Sequence, residues 1–242
     1  MFKRIAQTAG FTGLIAALLL TVLQSLWVGP LIHLAETYEK APAAQAAQAH
    51  EHADGAMPGH VHDAEAWEPE DGWQRVTSTA GGNLVVAVGF SLMLAALYTL
   101  RAPARTSQGA LWGLAGFAVF VLAPTLGLPP ELPGTAAADL TQRQFWWIGA
   151  AASTAVGLSL IVFGRHWALK ALAVAILVVP HVISAPQPVV HSSLAPEALA
   201  AQFKTASLLT NFVFWVVMGL ISAWLFRRNN PELRATELPQ AA

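Results

Sequence analysis

The 242-residue chain has no cysteine, which excludes disulfide scaffolds, thiol catalysis and Cys-ligated zinc. It is also poor in charge. Asp, Glu, Lys and Arg make up 11% of its residues, where a soluble domain carries about 25%. So few charges cannot cover a surface in water when 55% of the residues are hydrophobic. A formal net charge of −1 offers no basic footprint for a phosphate backbone, so nucleic acid is excluded as a partner. The chain contains no His-Glu-x-x-His pair, no nucleophile elbow and no glycine-rich phosphate loop. It reads as a non-enzyme, and any use of ATP would need another subunit.

Long apolar runs dominate what is present. A spanning helix needs about 20 mostly apolar residues. The runs 5–27, 81–100, 109–128, 145–164 and 206–226 carry no Asp, Glu, Lys or Arg. A sixth span is expected over 167–185, with Lys170 reaching the interface along its aliphatic stem and Pro180 and His181 near the far end. The first run is longer than the roughly 7–15 residues of a signal-peptide core and lacks a small-x-small cleavage site, so it is read as an uncleaved anchor.

Lys and Arg set the orientation. With six spans, nine of the thirteen fall on the side that holds both termini: Lys3, Arg4, Arg101, Arg105, Arg165, Lys170, Arg227, Arg228 and Arg234. Both termini are therefore expected in the cytoplasm. Twelve of the fourteen acidic residues, and every His except His166, then fall at the outer face. Such a face raises the local concentration of cations. Trp27, Trp146, Trp147, Trp112, Trp167 and Trp224 fall at span ends, where lipid anchoring accounts for them.

The expected fold is an all-α integral membrane protein, a bundle of about six transmembrane helices. One transmembrane domain covers 1–230, with a His- and acid-rich outer loop over 40–72 and a short cytoplasmic tail over 231–242. The loop holds two His-x-His pairs, His50/His52 and His60/His62, interleaved with carboxylates. They suit weak, adaptable metal capture; the alternative is a polar spacer. The residues between and around the pairs could build no packed core, so disorder without metal is expected there. Ahead of them, His33 and Glu36 stand three apart and share a face if the first helix continues past Pro30.

Three outward spans end in proline-rich stretches, at Pro30, Pro124 and Pro180. A helical proline frees a carbonyl, which can coordinate a cation at membrane depth. His181, on such broken backbone, is the foremost single ligand candidate; Glu131, in the turn after the third span, also faces the expected outer vestibule. Gln24, Asn83 and Asn211 fall in the outer third of their spans, where they either bond helix to helix or contribute to binding. Asp139 and Arg143, four apart, are expected to pair across one turn.

Several runs resemble the CbtA-type predicted cobalt transporter subunits of bacteria: QSLWVGPLI from Gln24, followed by His33 and by AETYE from Ala35; WEPEDGW from Trp67; LAPTLGLPPELPG from Leu122; DLTQRQ from Asp139, with Trp146 and Trp147; and Pro180-His181 followed by APQP from Ala185. The resemblance covers nearly the whole chain. It implies a multi-pass protein of the bacterial cytoplasmic membrane, tied to cobalt uptake for cobalamin synthesis. A small single-span partner with a His-rich end is often associated. Members are often described with five spans, where the charge count here favours six. The cargo expected is a divalent ion, Co²⁺ first, with Ni²⁺ and Zn²⁺ open, and no permanently bound cofactor. Capture of metal at the outer face for a partner, without transport, is the alternative function.

Overall fold

The computed structural model describes residues 2–51 and 69–232, and side chains over 2–40 and 69–232. His52, His60 and His62 lie outside the described residues, as does the side chain of His50.

The first helix, α1 (Phe2–Leu23), passes through a five-residue π-helical stretch (Gln24–Val28) into α2 (Gly29–Glu51). Proline is the cause. Pro30 has no N–H, and its ring crowds the carbonyl four residues back. The widened turn absorbs this: the Gly29 N–H bonds to the Gln24 carbonyl, five residues back. The same device recurs between α4 (Gln108–Phe117) and α5 (Ala123–Thr125). There the stretch Ala118–Leu122 is π-helical, and the Ala123 N–H bonds to the Ala118 carbonyl just before Pro124. The remaining helices are α3 (Trp73–Leu100), α6 (Leu140–Phe163), α7 (Trp167–Ile183) and α8 (Glu197–Asn229). α2 runs on through the Ala/Gln-rich stretch from Lys40 to Glu51, which the sequence reading assigned to loop; alanine and glutamine are strong helix formers.

Five helices are long and apolar enough to cross a bilayer: Phe2–Lys40, Trp73–Leu100, Gln108–Thr125, Leu140–Phe163 and Glu197–Asn229. The chain is a multi-pass membrane protein. α7 has 17 residues, about 25 Å of helix. Arg4 donates to Asn230 at 2.9 Å and pairs with Glu232 at 2.7 Å, and Asn229 donates to Thr8 at 3.1 Å. The two described ends of the chain therefore meet at one end of the bundle.

Small residues set the packing. A Cβ on Gly113 would run into the Trp215 carbonyl, one on Gly109 into the Gly219 carbonyl, and one on Gly116 into the Trp215 ring. α4 thus lies against α8 at backbone contact, the small-residue packing of membrane helices. Gly13 meets Val88 in the same way between α1 and α3. Beside these seams Ala16, Leu94, Tyr98, Trp215 and Met218 form the buried core. A second cluster lies at the far end, where Val28, Ala35, Leu132, Leu199 and Phe203 pack together. The connections there are joined backbone to backbone: the Ala136 N–H bonds to the Ser192 carbonyl at 2.9 Å, and the Leu194 N–H to the Gly134 carbonyl at 3.3 Å. Gly134 has φ +75°, a left-handed conformation that favours glycine.

Gly113→Val is expected to separate α4 from α8 and lower stability by about 2 kcal/mol or more, as overpacking does. Gly89→Ala, where an added Cβ meets nothing within 4 Å, should leave stability equal or slightly raised. Thermal unfolding in detergent distinguishes the two.

Candidate metal centre

His33 and Glu36 lie on the first two turns of α2, beyond the apolar run of the first span. They share a face because they are three apart on continuous helix. The chain returns at Asp71, just before α3, and Arg75 follows in the first turn of α3. His33, Glu36 and Asp71 each offer one ligand atom, and these atoms lie within 4.8 Å of one another. The Nδ1 of His33 is 3.7 Å from a Glu36 oxygen and 3.7 Å from an Asp71 oxygen. Glu36 is mostly buried, with 16% of its side chain exposed, while Asp71 is 65% exposed.

Arg75 holds the cluster together. Its Nη1 donates to Glu36 Oε2 at 3.1 Å, to Asp71 Oδ1 at 2.8 Å and to His33 Nδ1 at 3.2 Å. Its Nη2 donates to Glu36 Oε1. The guanidinium has no acceptor, so His33 Nδ1 receives that bond with its lone pair. This is also the lone pair a metal would take. The hydrogen bond from Arg75 is the largest effect on both carboxyls and holds Glu36 and Asp71 below their ordinary range.

The other expected ligands sit elsewhere. Glu131 pairs with Arg143 at 2.9 Å beside an open groove of about 1020 Å³ that Pro129, Trp147 and Phe203 help to line. Asp139 does not pair with Arg143 as expected. It caps α6 instead, accepting from the Gln142 N–H at 2.9 Å. Asp-x-x-Gln at a helix start is a capping signal, so this role was readable. His181 lies edge-on to Trp146, ring centroids 6.0 Å apart, and Trp146 donates to the Pro180 carbonyl at 3.1 Å. The carbonyl beside His181 is thus engaged, and Trp146 does more than anchor to lipid. Among the described residues neither His181 nor Glu131 belongs to the three-ligand cluster. Asn83 donates to Gln24 at 2.7 Å and to Thr21 at 3.0 Å, a bond from α3 to the first helix. Asn211 donates to the Ser207 carbonyl of its own helix.

The lowered carboxyls give the clamp a pH dependence. A group whose folded pKa is depressed adds stability above its ordinary value and loses it as pH falls through the lowered one. Amide protection at 31–37 and 74–80, measured relative to free-chain exchange at the same pH, should therefore be steady from pH 7 to 5. Protection should drop only below the ordinary carboxylate range, where Glu36 and Asp71 take up protons. Loss of protection already at pH 6 would mean the carboxylates do not hold this end.

No curated protein and no solved structure matches the chain. The family model described as "Probable cobalt transporter subunit (CbtA)" matches residues 2–227. With nearly its whole length matched, and with helices able to span a membrane, the chain belongs to the CbtA family of probable cobalt transporter subunits.

Proposed function

We propose that this protein is a subunit for uptake of a divalent transition-metal ion, Co²⁺ foremost, across the bacterial cytoplasmic membrane, and that it catalyses no chemical reaction. The observation that carries the proposal is the meeting of His33, Glu36 and Asp71 at one end of the bundle. One imidazole nitrogen with two carboxylate oxygens suits Co²⁺, Ni²⁺ or Zn²⁺. Family membership favours cobalt among them, and cobalamin synthesis is the destination consistent with that cargo. The His-x-His pairs of 50–62 lie in sequence between the two halves of the site and would raise the metal concentration around it.

The site faces outward. Arg4, Asn230 and Glu232 mark the opposite end of the bundle. The excess of Lys and Arg on the terminal side supports a cytoplasmic position for that end. Reporter fusions should find both termini cytoplasmic and the 31–75 segment outside; a C-terminus on the other side would remove a pass and overturn this orientation.

Capture without transport is favoured by a specific feature, the backbone-tight packing of α4 on α8, which leaves no room between these helices for an ion. A small His-rich single-span partner would then receive the metal. Vesicles holding this protein alone decide between the readings. Transport predicts accumulation of radiolabelled cobalt that falls at least tenfold with Glu36→Gln. Capture predicts binding that depends on Glu36 with no accumulation inside.

A further inference from the structure

Arg75 does more in this cluster than pair with one acid. A single nitrogen, Nη1, reaches all three prospective ligand atoms, at 3.1 Å from Glu36 Oε2, 2.8 Å from Asp71 Oδ1 and 3.2 Å from His33 Nδ1. It stands where an ion bound by those atoms would stand. Metal–ligand bonds of about 2.0–2.2 Å would need each ligand to close in by roughly 1 Å. They would also need the guanidinium to be gone.

We propose that Arg75 is the resident cation of the His33–Glu36–Asp71 site and that a divalent ion enters by exchanging with it. This rests on the reading of the triad as a metal site. Charge makes the exchange obligatory. The two carboxylates supply −2, which one divalent ion neutralises. Adding the guanidinium at contact distance would place like charges together in a half-buried site. Arginine cannot leave by losing its proton, so it must swing away.

The local structure lets it do so. Arg75 is 32% exposed and has a long, flexible stem. It is the third residue of α3, in the first turn, where the helix dipole opposes a positive charge. Glu36, Asp71 and His33 are what hold it there. Its departure exchanges the bond from Arg75 to Glu36 for a tie through the ion from His33 and Glu36 to Asp71, just before α3. When the ion moves on, Arg75 returns and refills the site.

The consequence is a site whose affinity is held down by an internal competitor, so that it loads and unloads. Co²⁺ titration of the purified full chain in detergent tests this. Arg75→Gln should bind at least tenfold more tightly than the wild type and release Co²⁺ more slowly to a chelator. Arg75→Lys, which keeps a cation but loses the two-nitrogen fork on Glu36, should fall between the two. Glu36→Gln and Asp71→Asn should bind more weakly than the wild type. Unchanged or weaker binding by folded Arg75→Gln, with Glu36→Gln still weakened, would overturn the exchange and leave the site standing. Unchanged binding in both carboxylate variants would overturn the site itself. The wild type provides a check that does not depend on any variant folding. Under Zn²⁺, which is diamagnetic, the Arg75 Nε–H resonance should move to a free-guanidinium position with the midpoint of metal binding. A resonance that stays in place at saturating Zn²⁺ also overturns the exchange.

Discussion

The constraint on which the rest depends is that a hydrocarbon layer tolerates no unpaired charge. The five longest apolar runs obey it completely, so every ionic side chain is driven to one of two ends. With no ion pairs along their length, the helices adhere by fit. Where soluble bundles interlock large side chains, this one strips them away: glycine meets backbone between α4 and α8, and between α1 and α3. Ionic chemistry and close packing are consequently separated in space. The middle holds the bundle together, and the ends carry the charges.

Proline shapes the end of the bundle that holds the cluster. Pro30 and Pro124 each follow a π-helical stretch of five residues, and in each the residue before proline bonds five residues back. Such widened turns are rare and concentrate at functional sites. The first has a direct consequence for the site. Because the helix widens and does not break at Pro30, α2 continues with His33 and Glu36 on one face. A break there would have left these two residues on unrelated backbone.

Spans were legible because charge is absent from them over 20 residues or more, a signal that needs no tertiary information. The bond from Asn83 to Gln24 was within reach too, since a shared depth could be counted from the span ends. The third ligand was not legible. Asp71 lies 35 positions beyond Glu36 in the sequence, too far for any spacing rule to link them. Only the return of the chain to the start of α3 brings it to His33. Arg75 was counted among the outer cations without a role for the same reason. Glu131 and Arg143 are twelve apart on either side of a turn, too far for any helical spacing rule to pair them. His181 drew attention through its neighbour Pro180, but the Pro180 carbonyl is taken up by Trp146, whose position depends on how α6 packs on α7.

What lies inward of the cluster limits what a captured ion can do. The next polar layer is Asn83 with Gln24 and Thr21, neutral amides and a hydroxyl. Deeper in the bundle Thr12, Ser91 and Thr210 are buried with their hydroxyls unpartnered among the described residues. Tyr98 and Ser222 then bond to each other at 2.9 Å, nearer the end that holds the termini. None of these groups is anionic. An ion leaving Glu36 and Asp71 would exchange two full charges for dipoles, so the outer cluster is the deepest electrostatic well among these layers. Passage requires sites that bind well enough to admit an ion and weakly enough to release it. With no carboxylate among these layers to draw the ion onward, that balance has to be struck at the His33–Glu36–Asp71 cluster. A guanidinium already seated among the ligands meets this requirement, because its return offsets part of the cost of letting the metal go.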